Sequence, residues 1–474
     1  MSNPSNPSKV SKATRWGVLS LTATLGACAS LPATLSEPEL PTAIPERFSE
    51  SLEGVVSSAQ GWQALGDPVL PDLIRQGLQG NLALAQAVKR VEQSRALVRA
   101  AAGQRWPAAD IRLGATSQQL ARVDAPLASS GDRRVDSIQL QTAISWELDL
   151  AGRLKHRLDA QQLRLDARHA DAAALRLSVA AEIASAWYAY EGIRARMEII
   201  KSVLDNRERA LQLVRTRVSA GASASIDETR AQAELAQARS ALPRWEGDLK
   251  VQANRIAVLL GKVPGAYQPP IAPRVMPHLS TLRLPTVTQW VSQRPDLRAA
   301  RLGLAAHASD LRALEADLLP RIELGGVLGF VAGSLGTLGS GGSLAWALTP
   351  SISMPLFNRE GLLARTDESR SRGREAALAY RENLLSGLAE VESAVAQYRL
   401  GQQSLHELEQ RLAYAQRAHR IAELRWRSGA TEMLEWLDAQ RQAYAAALEA
   451  ADAVTLQRQH AIQLFKALGQ QPDA

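Results

Sequence analysis

The chain has 474 residues, a formal charge of +7 and a single cysteine. One cysteine excludes an intrachain disulfide framework and any cysteine-clustered zinc or iron–sulfur centre. Mean hydropathy of −0.15 excludes a bundle of membrane-spanning helices, and +7 over this length is too weak to indicate nucleic acid.

The N-terminal segment comes first. Lys9, Lys12 and Arg15 precede a short apolar run, Trp16 to Leu25, with no acidic residue before Glu37. This is the pattern of a secretory signal, too short for a membrane span. It leads into Leu25-Gly26-Ala27-Cys28, which resembles the bacterial lipobox. The resemblance implies a signal peptide over residues 1–27, cleavage before Cys28, diacylglycerol on its Sγ and an acyl chain on the new terminus. No other cofactor is expected. Residues 28–60, Pro-, Thr- and Ser-rich from Leu31 to Pro45, read as a lipidated tether.

The remainder is a tandem repeat. Ser145 and Ser353, Leu148 and Leu356, Glu182 and Glu390, Tyr190 and Tyr398, Gly221 and Gly429, and Gly261 and Gly469 are all 208 positions apart. Upstream the offset becomes 213, relating Leu84 to Leu297 and Pro107 to Pro320. The copies span residues 61–269 and 270–474. Each reads helix, strand, strand, long helix, helix.

In the first copy, strands are predicted at about 110–117 and 137–149. In the second strand Ile138, Leu140, Thr142, Ile144, Trp146 and Leu148 share one face and polar residues the other. Such alternation suits a transmembrane barrel strand. In the second copy, strands are predicted at about 321–331 and 344–354, with a bulge where Pro350 interrupts the last. The stretch Gly325 to Asn358 has no charge, but eight glycines between Gly325 and Gly342 argue against a membrane helix. Pro107, Pro320 and Pro355 stand where strand and helix exchange.

The stretches 152–260 and 361–468, rich in Ala, Leu, Gln, Glu and Arg, read as helical hairpins broken at Gly221 and Gly429. At a rise of 1.5 Å per residue the first arm is about 100 Å long, and its recurring charges keep it out of lipid. Four strands cannot close a barrel, and open edges cannot stand in a bilayer, so closure requires further chains; three would supply twelve strands.

The seven histidines lack zinc spacing, no phosphate-binding loop or nucleophile elbow occurs, and the Arg-rich arms alternate with acidic residues. Neither an enzyme nor a nucleic-acid partner is expected.

Taken together, the lipobox, Asn81-Leu82-Ala83-Leu84, Ser145 through Arg153 (SWELDLAGR), Arg294-Pro295-Asp296-Leu297-Arg298, Pro355-Leu356-Phe357, Glu390-Val391-Glu392 and Leu437-Asp438-Ala439-Gln440 resemble the TolC family of outer-membrane channels. The likeness is strongest to the NodT/OprM-like lipoprotein branch that serves resistance–nodulation–division (RND) efflux pumps. It implies a mainly α protein with a small β part: a homotrimer with a twelve-stranded transmembrane β-barrel, four strands per chain, and a long α-helical barrel across the periplasm. It implies a passive exit duct for drugs or other small molecules, anchored in outer-membrane lipid. Its partners would be a periplasmic adaptor and an inner-membrane RND pump. The hairpin tips, with Arg217, Gly221, Arg425 and Gly429, would meet the adaptor, the two arginines serving as candidates for tip salt bridges. Asp227, Glu435 and Asp438 would constrict the pore as a cation-selecting carboxylate ring. Type I protein secretion through the same fold, and a non-channel coiled-coil scaffold lipoprotein, are the alternatives.

Overall fold

The computed structural model describes residues 45–49, 62, 65–119, 134–271 and 284–472. Cys28, the signal segment and nearly all of the tether lie outside the described residues. The element order repeats. Copy one contains α1 (Leu70–Gly80), α2 (Leu82–Gly103), β1 (Ala108–Gln119), β2 (Arg134–Leu148), α3 (Arg153–Ser219) and α4 (Ser225–Leu259). Copy two contains α5 (Val287–Gln293), α6 (Pro295–Ala316), β3 (Arg321–Ala332), β4 (Leu344–Ser353), α7 (Arg359–Arg427) and α8 (Met433–Ala467). The short leading helices α1 and α5 are additions to the expected order. Among the described residues no helix is long and apolar enough to cross a membrane.

The chain forms two compact units, and each draws on both copies. The first is built on one antiparallel sheet in the order β1-β2-β3-β4. Its register carries the period-two pattern across all strands. Leu113, Leu140, Phe330 and Leu344 form one row, and Ile111, Thr142, Leu328 and Trp346 the next. Cross-strand partners share a face, so these rows make a continuous apolar surface. The other face carries Arg112 and Gln141 in one row and Glu147, Glu323 and Ser351 in another. Ile111 and Trp346 are about three-quarters exposed in the single chain, at 77% and 75%. β1 and β4 are the edges.

The expected bulge at Pro350 is not present. Pro350 pairs with Leu324 in a register that runs unbroken from Arg321↔Ser353 to Phe330↔Leu344. An edge strand accommodates proline because the nitrogen that cannot donate can face away from its one partner. The glycine-rich segment after β3 forms two 3-10 turns rather than a membrane helix.

The second unit is helical. Its larger core gathers Trp187, Tyr188, Trp290, Ile183, Leu384, Ile462 and Phe465. Ala180, Ala184 and Ala186 of α3 are fully buried, since small side chains allow close helix approach. Asp67 accepts from the backbone N–H of Val69 and Leu70 at the start of α1, and from Trp187 Nε1 at 2.8 Å. One carboxylate thereby caps a helix and satisfies a buried indole.

The copies pack this core by exchanging large and small residues. In α1 of copy one, Gly77 lies against Ile183, and a Cβ at Gly77 would overlap that side chain. The corresponding position of α5 is Trp290, and the room is made by Gly387 of α7, whose added Cβ would come within 3.0 Å of the indole. Gly387 corresponds to Val179 in copy one. The volume removed from one element appears on its partner, as close packing requires.

All four arm helices end alike. Gly221, Gly261, Gly429 and Gly469 have φ between +69° and +78°. The next residue in each case donates back five positions: Ala222 to Arg217, Lys262 to Ala257, Ala430 to Arg425 and Gln470 to Phe465, at 2.8 to 3.1 Å. This Schellman ending needs a residue tolerant of the left-handed conformation, and glycine supplies it.

Candidate functional site

The two hairpin turns, after Gly221 and Gly429, meet in a second core of Ala210, Leu211, Val214, Leu235, Trp426, Met433, Trp436 and Leu437. Trp426 and Trp436 stack with ring centroids 4.3 Å apart and planes 10° apart. They sit three residues before and seven after Gly429, a spacing visible in the sequence but not read there as a site.

Arg217 and Arg425 occupy corresponding positions but act differently. Arg425 lies 3.8 Å from Glu435 in its own hairpin. Arg217 was expected to form a salt bridge. Instead it crosses to the second hairpin, stacks over Trp426 at 4.4 Å, and donates to the carbonyls of Trp426 at 3.3 Å and Arg427 at 2.9 Å. A guanidinium on the last carbonyls of α7 answers the negative end of that helix. The asymmetry follows from Trp426, whose counterpart in copy one is Val218 and offers no aromatic face.

Each acidic residue assigned to the constriction already has a neighbour. Glu435 accepts from Thr431 Oγ1 as well as facing Arg425. Asp438 accepts from Arg441 at 2.9 Å and Gln442 at 2.8 Å. Asp227 lies 3.8 Å from Arg230. Asp227 and Glu435 are both the third residue of their helices. Glu435 and Asp438 follow at i, i+3 on one helix face, and both are about half exposed. Arg207 is buried and bonded to Glu234 across the first hairpin.

Within the sheet unit, the proline positions and the SWELDLAGR stretch form strand–helix junctions. Pro107 immediately precedes β1, Pro320 immediately precedes β3, and Pro355 follows β4 before α7. Asp149 accepts from the backbone N–H of Leu154 at 2.9 Å and Lys155 at 2.7 Å, capping α3, while Gly152 turns at φ +75°. Arg153 bonds Glu147 and faces Asp317 at 3.7 Å. Asp317 also holds Arg157 at 3.3 Å and Arg321 at 2.6 Å. A nearly buried carboxylate thus gathers three guanidiniums where strand gives way to helix. In the helical unit, the Arg294 motif has a comparable density. Arg294 binds Asp296 and Glu390, stacks on Trp290, and donates to the Ala467 carbonyl at 3.3 Å. Its counterpart Asn81 donates to the Leu259 carbonyl at 2.9 Å, the equivalent end of α4.

Comparison with known proteins covers nearly the whole chain. Residues 73–262 and 287–470 match the family model described as outer membrane efflux protein. The chain is 29% identical to outer membrane protein OprJ of Pseudomonas aeruginosa, over 94% of this chain and 93% of that one. It is also 29% identical to the pyoverdine export outer membrane protein OpmQ of the same organism, over 94% of each. Among solved structures, the outer-membrane channel OprN superimposes with a TM-score of 0.84 at 28% identity, covering 94% of this chain and all of that one.

Proposed function

We infer the function from one premise: this chain belongs to the outer membrane efflux protein family. It serves as the outer-membrane channel of a tripartite efflux system, a passive exit duct for small molecules. The observation that carries this reading is the four-stranded sheet. It has one continuous apolar face and two edges without a partner in the single chain. Such a sheet cannot stand in lipid until its edges are paired. Three copies joined edge to edge supply twelve strands, which is the homotrimer.

In this reading the mature chain begins at Cys28, which carries diacylglycerol and acyl chains. Residues 28–60 are the tether, and two repeats follow over 61–269 and 270–474. The hairpin turns around Gly221 and Gly429, with Arg217 and Arg425, meet a periplasmic adaptor that connects to an inner-membrane RND-type pump. Asp227, Glu435 and Asp438 line the constriction. The duct does no chemistry of its own, so its selectivity is set mainly by the pump.

Planar-bilayer recording with the purified full-length protein tests the channel. Stepwise conductance from a trimer is expected; no conductance from a monomeric preparation would overturn the reading. Radiolabelled palmitate should label the wild type and not Cys28→Ser. Equal labelling would remove the lipid assignment alone.

A further inference from the structure

β1 and β4 are the two edges of the sheet, each paired on one side only. Every residue of β1 is exposed in the single chain, and so is nearly every residue of β4. The repeat indicates what belongs beside them. β1 corresponds to β3 at an offset of 213, and β2 to β4 at an offset of 208. The two hairpins obey these offsets to the residue. Ala108↔Ser145 of β1 and β2 becomes Arg321↔Ser353 of β3 and β4, and Ala115↔Ile138 becomes Leu328↔Trp346. The duplication has therefore preserved strand register as well as strand order.

The sheet contains one junction between the repeats, the pairing of β2 with β3 from Ile138↔Ala332 to Leu148↔Ile322. The equivalent junction sets β4 beside a β1. Within one chain these strands are opposite edges, about 14 Å apart at ~4.8 Å per strand spacing, so the β1 must come from a second copy. Carrying the β2–β3 register over by the same offsets gives three pairs. Ile144↔Gly326 becomes Ile352 opposite Leu113, Gln141↔Gly329 becomes Thr349 opposite Thr116, and Ser145↔Gly325 becomes Ser353 opposite Arg112. The faces then agree without having been imposed. Ile352 and Leu113, 73% and 72% exposed in the single chain, both belong to the apolar face, whereas Ser353 and Arg112 both belong to the polar one. A slip of one residue would set every apolar side chain against the polar face. Slips of two keep the faces, and the repeat chooses among them.

We propose that β4 of one copy pairs antiparallel with β1 of the next in this register, over the eight pairs from Trp346 opposite Gln119 to Ser353 opposite Arg112. The proposal rests on the channel reading and adds to it the residues that join the subunits. Ile352 against Leu113 carries the apolar surface from one copy into the next, and Thr349 against Thr116 is a favourable cross-strand pair on the other face. The junction between subunits then repeats the junction between the two halves of each subunit.

The test is oxidative cross-linking of the full-length protein with copper phenanthroline, read as disulfide-linked dimer and trimer on denaturing gels. Sedimentation of the unoxidised sample gives the number of subunits, and the unsubstituted chain, with Cys28 alone, gives the background. Thr349→Cys with Thr116→Cys tests the proposed register on the polar face, and Ile352→Cys with Leu113→Cys tests it on the apolar face. Thr349→Cys with Gly114→Cys, and with Gln118→Cys, test the two registers slipped by two residues; a side chain at Gly114 meets nothing within 4 Å. Residues directly opposite bring their Cβ atoms within reach of a disulfide, whereas residues two positions off lie roughly 7–8 Å apart. At least one of the in-register pairs should therefore cross-link about tenfold faster than either slipped pair. A trimer that cross-links fastest in a slipped pair, or in none, would overturn the register and leave the channel reading standing. Monomeric chains that cross-link in no pair would overturn both.

Discussion

Arg217 and Trp426 meet across the two hairpins, the guanidinium lying 4.4 Å from the indole centroid while its nitrogens hold the carbonyls of Trp426 and Arg427. One side chain from the first copy thus closes the last turn of α7 in the second. Arg217→Ala removes two charge-assisted hydrogen bonds and the stacking. Amide exchange in the last turn of α7 should accelerate about tenfold or more. Arg217→Lys should fall between, since an ammonium keeps the charge but loses the planar fork. Hydrogen-exchange mass spectrometry checks both variants; unchanged exchange in Arg217→Ala would show that the last turn is held by other contacts.

The glycines at helix ends separate two kinds of cost. Around Gly221 an added Cβ meets nothing within 4 Å, so Gly221→Ala pays only the left-handed backbone conformation, about 1–2 kcal/mol. At Gly261 the added Cβ would also overlap the Gly80 carbonyl, which is backbone and cannot rotate aside. Gly261→Ala should cost roughly 3 kcal/mol or more. Denaturation midpoints of the two variants, compared with wild type, test the ordering.

Asp317 should be the costliest single charge to remove from the sheet unit. Its side chain is 7% exposed and faces Arg153, Arg157 and Arg321. Asp317→Asn leaves the nearly buried Arg153 with Glu147 alone and should lose about 3–5 kcal/mol, as broken buried pairs do. Asp171→Asn breaks an exposed pair with Arg168 and should stay within about 1 kcal/mol. Comparable losses in the two variants would remove the distinction.

The constriction residues are tested by conductance. Because Glu435 faces Arg425 and Asp438 accepts from Arg441, neutralising the carboxylates also exposes two guanidiniums. Glu435→Gln with Asp438→Asn should raise conductance and weaken block by multivalent cations at least about tenfold, since a unit charge at ~4 Å in water is worth ~1 kcal/mol. Unchanged block in bilayer recordings would place these residues away from the ion path.

Much of the architecture was legible as pattern. The apolar alternation from Ile138 to Leu148 requires only that strand side chains alternate, so it predicts β2 without knowledge of its partners. Gly221 and Gly429 announce helix ends because few other residues adopt the left-handed conformation. The short helices α1 and α5 escaped notice, although Thr286 and Gln289 form a complete capping box at the start of α5. Eleven residues in α1 and seven in α5 leave little room for a helical period to stand out.

By itself the sequence determined the duplication, the turns, the strand faces and the lone cysteine at the lipobox, because each depends on residues close together or on a constant offset. Only the tertiary structure decided which distant groups meet. It set Leu140 between Leu113 and Phe330, kept Pro350 in register, matched Gly77 to Ile183 and Gly387 to Trp290, and sent Arg217 across to Trp426 while Arg425 stayed home. Those pairings depend on packing between elements from about 26 to about 209 residues apart. A repeat in sequence cannot predict them, because two copies sharing one core are free to diverge wherever a change in one is answered by a change in the other.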